Sequence, residues 1–136
     1  MNRTILASLT LVLATAACGG ATPGASAPSA ASAAPLDGTS YEVTLAFPGE
    51  PPIKDTLRFD GGRFESTACT SVGFPRWSEY SAKSDAGAVA FAVAARSPDG
   101  TTMDWKGTVT GTSVEGTAIR TMAGRTSTAV VSGARH

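Results

Sequence analysis

Few side chains in this 136-residue sequence have types suited to chemistry, and their spacing limits what that chemistry is. There are two cysteines, Cys18 and Cys69, and one histidine, His136, which is the last residue. A Ser-His-Asp or Cys-His arrangement needs a positioned imidazole, and a terminal residue is usually frayed. His and Cys are too few for a metal cluster, so no metal site is expected. Glycoside hydrolysis needs two facing carboxylates. Glu42, Asp55, Glu65 and Asp104 mostly fall on strand faces expected to meet solvent. The stretch DGGRF at 60–64 reads as a hairpin, not as a phosphate loop. Neither catalysis nor a bound cofactor is expected. The two thiols are the reactive groups left to explain.

Cys18 closes a segment in three parts. Asn2 and Arg3 begin it, an apolar run covers Ile5 to Ala14, and the small residues Thr15, Ala16 and Ala17 follow. A positive start, an apolar stretch of ~7–15 residues and a small-residue end describe a secretory signal peptide. A membrane-spanning helix needs ~20 apolar residues, and none of that length is expected anywhere in the chain. The run Thr15-Ala16-Ala17-Cys18 resembles the bacterial lipobox, Leu-(Ala/Ser)-(Gly/Ala)-Cys, and departs from it at Thr15. The resemblance implies removal of residues 1–17 and acylation of Cys18, which would anchor the protein to a membrane. More than one acyl chain gives stable anchoring. Gly19 stands where an aspartate retains enteric lipoproteins in the inner membrane. The resemblance therefore implies a bacterial envelope location, at the outer membrane. Ordinary secretion with a chance cysteine is the alternative.

Residues 18–35 continue as Cys18 and then GGATPGASAPSAASAAP, with no charge, no aromatic and no large aliphatic side chain. Such a stretch buries too little apolar surface to offset its ordering entropy, so it reads as a disordered tether. Extended, it would reach on the order of 50 Å. Residues 36–136 are then one small domain. Its only cysteine is Cys69, so no internal disulfide is expected there. Eleven basic residues balance eleven acidic ones, which gives no basic patch for a nucleic acid.

The domain must position any site with strands. TSYEVTLAF sets Tyr41, Val43, Leu45 and Phe47 on one face, with Glu42 and Thr44 on the other. DTLRF alternates Leu57 and Phe59 with Thr56 and Arg58. TMDWKGTVTG alternates Met103, Trp105 and Val109 with Asp104, Lys106 and Thr108. Period-two alternation argues half-buried antiparallel strands. Turn signals recur about every dozen residues, at Asp60-Gly61-Gly62, Asp85-Ala86-Gly87, Pro98-Asp99-Gly100 and Ala123-Gly124 among others. The pattern predicts eight strands near 39–47, 54–60, 63–68, 77–84, 88–96, 102–110, 113–121 and 126–134. The break, CTSVGFPR at 69–76, reads as a short helical turn or a loop. An all-β up-and-down meander of eight strands removes its edges by closing into a barrel. Gly107 and Gly116, inside strands, mark a tight bend or bulge. This consecutive-hairpin pattern over 36–136 resembles the small calycin-type barrels of the lipocalin and avidin group. A lipocalin Gly-x-Trp start is missing, so no ligand residues carry over.

Three non-catalytic functions fit. The first is a lipid-anchored binding or interaction module. The second is a carrier of a small apolar ligand or lipid inside the barrel. The third is an inhibitor of a hydrolase. Ser132-Gly133-Ala134-Arg135 is similar to a Ser-Gly-x-x-Tyr motif of bacterial lysozyme inhibitors, with His136 in place of the tyrosine. Phe74, Arg76 and Trp77 lie at the one irregular connection, and are either interface anchors or a plug for one barrel end. Trp105 and Phe91 are candidates for contact with a ligand. In AVAFAVAAR, Val89, Phe91 and Val93 make one face and alanines the other; either can face inward, because a one-residue slip swaps them. Cys69 is a buried small hydrophobe or a free reactive thiol.

Overall fold

The computed structural model describes residues 34–136. The expected signal segment, Cys18 and most of the expected tether lie outside the described residues. Eight antiparallel strands close into one barrel: β1 (Thr39–Ala46), β2 (Ile53–Asp60), β3 (Arg63–Ser66), β4 (Ser78–Asp85), β5 (Ala88–Arg96), β6 (Thr102–Thr110), β7 (Ser113–Met122) and β8 (Arg125–Arg135). Each strand pairs with the next, and β1 pairs with β8 from Tyr41 opposite Arg135 to Ala46 opposite Val130. One short helix, α1 (Thr67–Ser71), interrupts the meander inside the expected break.

Alternation sets the inner wall. Tyr41, Val43, Leu45, Leu57, Phe59, Trp105 and Val131 all point inward and are buried. On β5 the large face points in, with Phe91, Val93 and Ala95 buried, and Ala90, Ala92 and Ala94 face out. Phe59 is the hub of the interior. Its ring meets Tyr41, Phe64, Tyr80 and Phe91 edge-on, with centroids 5.0–6.0 Å apart. Phe64 then reaches Trp105 at 5.3 Å. Aromatic pairs favour such edge-on geometry, and here they fill the middle of the barrel with side chains.

Two glycines make that filling fit. Gly107 and Gly116 face each other across β6 and β7. A Cβ at Gly107 would stand 2.6 Å from the Phe91 ring, and one at Gly116 would stand 2.2 Å from the Lys106 carbonyl oxygen. Their role is close approach of ring and backbone.

The barrel has two different ends. At one, Leu36 is buried, and the Gly38 N–H donates to the Phe59 carbonyl. The Asp37 carboxylate accepts hydrogen bonds from the Gly62 N–H (3.0 Å) and the Tyr80 hydroxyl (2.9 Å). These bonds fasten the entering chain to β4 and to the β2–β3 turn. At the other end stand the β1–β2, β5–β6 and β7–β8 connections and α1. The seam between β3 and β4 is the weakest, with only Arg63 opposite Glu79 and Phe64 opposite Ser78.

Candidate functional site

The second end is a mouth, and α1 lies at it because of one inward carboxylate. Asp55 shares the inner phase of Leu57 and Phe59 on β2 and is 5% exposed. Its Oδ2 accepts from the Ser66 hydroxyl at 2.5 Å, and its Oδ1 accepts from the Thr67 hydroxyl at 2.9 Å and the Ala68 N–H at 2.8 Å. Ser66 is also the helix cap, its Oγ accepting from the Cys69 N–H. A buried charge persists when it is hydrogen-bonded throughout, and the start of a helix supplies free N–H donors. Asp55 and Glu65 therefore correct the expectation that these carboxylates mostly meet solvent. Glu65 is also 5% exposed, clasped from outside by Arg76 at 3.1 Å with Arg58 at 3.7 Å. Asp55 is hydrogen-bonded through both oxygens, whereas Glu65 is bonded through Oε1 and its buried Oε2 has only the distant Arg58 guanidinium beside it. Glu42 and Asp104 are exposed, as expected.

Between α1 and the opposite loops lies a cavity of about 350 Å³. Leu45, Phe47, Phe74 and Met103 form its buried wall, and Cys69 lines it from α1. Ile53, Val72 and Met122 stand at its edge, unusually exposed for large apolar residues; Val72 is 72% and Met122 54% exposed. Arg120 closes one side. Its guanidinium lies over the Phe47 ring at 4.3 Å from the centroid and pairs with Glu50 of the β1–β2 connection. Asp99, in the β5–β6 connection, also lines the cavity, and its carboxylate accepts from the Thr101 N–H at 2.8 Å. That bond holds the Asp99 carboxyl below the ordinary aspartate range. An apolar concavity of this size with a few polar groups at its rim is the usual form of a small-molecule site.

No protein family matches the chain, and none of the curated proteins or solved structures compared with it is similar. What the site does is therefore argued from its own residues. Phe74 is buried at the mouth beside Cys69, where it plugs that part of the end. Arg76 and Trp77 lie outside the barrel. Trp77 is partly exposed and sits between two guanidiniums, Arg63 at 5.3 Å and Arg76 at 5.6 Å from its ring. Phe91 and Trp105 belong to the packed middle. The five residues grouped from sequence thus separate into a plug, an outer cluster and a core.

Cys69 is a free, buried thiol. Burial pushes it up to about 11, with the Asp55 charge adding to the rise against a lowering hydrogen bond from Ser66. A thiol held so far above neutral pH is a poor nucleophile. His136 pairs with Glu42 at 3.6 Å, both well exposed, at the far end from the mouth. Ser132 and Gly133 lie within β8, paired with Thr44 and Val43, and not in an inter-strand loop.

Proposed function

We propose that this protein is a lipid-anchored bacterial envelope lipoprotein, held through Cys18 at the outer membrane, whose barrel binds a small apolar ligand at its mouth without catalysing a reaction. The observation that carries the reading is the mouth cavity of about 350 Å³ above a packed interior. Its walls are aliphatic, aromatic and thioether, and such surfaces bind by desolvation and shape. Methionine adapts to ligands of differing outline, which suits a carrier better than a highly selective receptor. The thiol at its wall is held protonated, so it contributes packing and not attack. Native mass spectrometry of the protein from its own host tests the reading. A co-purifying apolar molecule is expected. A bare protein that also binds no hydrophobic probe would exclude the carrier.

A second reading has its own observation. Arg63, Trp77 and Arg76 form an outer cluster beside the weak β3–β4 seam. Tryptophan and arginine dominate protein interfaces. A protein partner docking there would leave the mouth free. Replacing Trp77 with alanine would then abolish partner capture while probe binding in the mouth persists.

A further inference from the structure

The mouth continues into a second hollow of different chemistry, and the two share Arg120 and Met122. Strand register explains the join. Arg120 on β7 stands opposite Ser127 on β8, and Met122 stands opposite Arg125. These positions share the inner phase of Ala118 and Ala129, which are fully buried deeper in the barrel. The same face thus runs from a closed apolar interior to a rim carrying two guanidiniums and a hydroxyl. Apart from the Arg120 partner, Glu50, no acidic side chain lines the second hollow. Asp99, the other acid at the cavity, accepts hydrogen bonds within its own turn.

We propose that the two hollows form one amphiphile site: a single apolar chain enters the cavity, and an anionic head, carboxylate or phosphate, sits between Arg120 and Arg125. The assignment rests on the apolar-ligand reading above and adds the head group to it. Guanidinium is suited to both anions, because its fork of donors matches their oxygens. Glu50 is the competitor. It is partly exposed on a loop, and an arriving anion takes its place on Arg120. The Phe47 ring keeps the guanidinium at the rim while the partner changes.

The test compares four probes on the purified full-length protein at low ionic strength, by calorimetry below micelle formation: dodecanoate, dodecyl phosphate, dodecanol and inorganic phosphate. Both anionic amphiphiles are expected to bind roughly tenfold more tightly than dodecanol, as charge-assisted hydrogen bonds to one guanidinium imply. Inorganic phosphate alone is expected to bind far more weakly than dodecyl phosphate. Arg120→Gln and Arg125→Gln should each reduce the ratio of anion affinity to dodecanol affinity. Glu50→Gln should raise anion affinity. Dodecanol binding as tightly as the anions, or arginine variants that keep the preference, would overturn the head-group assignment alone. Failure of dodecanol and both anionic amphiphiles to bind would overturn the cavity reading with it. Inorganic phosphate matching dodecyl phosphate would reduce the site to an anion hollow without a chain. A preference for one anion over the other identifies the head.

Discussion

The Asp55 carboxylate on β2 accepts a hydrogen bond from the Ala68 N–H at the start of α1, at 2.8 Å. This contact joins a barrel strand to the helix at its mouth, and it exists because Asp55 points inward. Remove it, and the Ser66 and Thr67 hydroxyls and the Ala68 N–H lose one shared partner.

Asp55→Ala is therefore expected to destabilise the fold by roughly 2–4 kcal/mol, since several donors lose a buried charged acceptor together. Urea unfolding monitored by tryptophan fluorescence measures it. Asp55→Asn, which keeps an acceptor oxygen, should lose less. Equal stability of Asp55→Ala and the parent would mean that α1 is held by apolar packing alone.

The opposite end depends on the Asp37–Tyr80 hydrogen bond. The Asp37 carboxyl is held below the ordinary range, chiefly by the Gly62 N–H. The Tyr80 hydroxyl is pushed up to about 12 by burial first, and then by its bond to Asp37. A depressed carboxyl contributes stability above its unfolded value, and this is lost as pH falls through its folded value. A raised phenol contributes below its unfolded value, and this is lost as pH rises through its folded value. The full contribution is thus present from about pH 4 to about pH 10. Tyr80→Phe should cost roughly 0.5–1.5 kcal/mol within that window. The difference from the parent should shrink on the alkaline side as pH approaches about 12. Unfolding curves at several pH values read this out, and a Tyr80→Phe protein as stable as the parent at neutral pH would remove the latch from the account.

Gly116→Ala places a Cβ 2.2 Å from the Lys106 carbonyl oxygen, and backbone cannot step aside as a side chain can. A loss of roughly 1–3 kcal/mol or more is expected by thermal melting, as for other overpacked sites. An unchanged melting temperature would show that β6 and β7 lie farther apart than described.

The Cys69 thiol, 6% exposed and held protonated at neutral pH, should react with a thiol reagent only slowly in the folded protein and rapidly in denaturant. A saturating apolar ligand should slow it further, because the residue lines the cavity. Fast labelling of the native protein would place the sulfur at the surface.

Much of this architecture is legible in the sequence, because alternation is a local property. Tyr41, Val43 and Leu45, or Met103 and Trp105, declare their shared face within a few residues. Asp55 stands in phase with Leu57 and Phe59, a local signal that the solvent-facing expectation passed over. An inward carboxylate is costly unless donors meet it, and Ser66, Thr67 and Ala68 come from beyond the next turn. Glu65 breaks alternation for another reason. Phe64, Glu65 and Ser66 are all buried, because β3 is covered outside as well, with Arg76 from the following connection over Glu65. The mouth was the least legible feature. Its walls come from three connections and several strand ends far apart in sequence, and Arg120 meets Glu50 only once the barrel closes. The resemblance of Thr15–Cys18 to a lipobox, by contrast, is read wholly from local order and lies outside the described residues.

The claim that the mouth is a binding site has a direct measurement. A fluorescent apolar probe is titrated into the full-length protein and into Met122→Trp, a substitution at the exposed edge that narrows the cavity without entering the packed interior. The account predicts saturable one-to-one binding by the parent and roughly tenfold or greater weakening in the variant, with the melting temperature preserved. Equal binding by both proteins, or none by the parent, would contradict it.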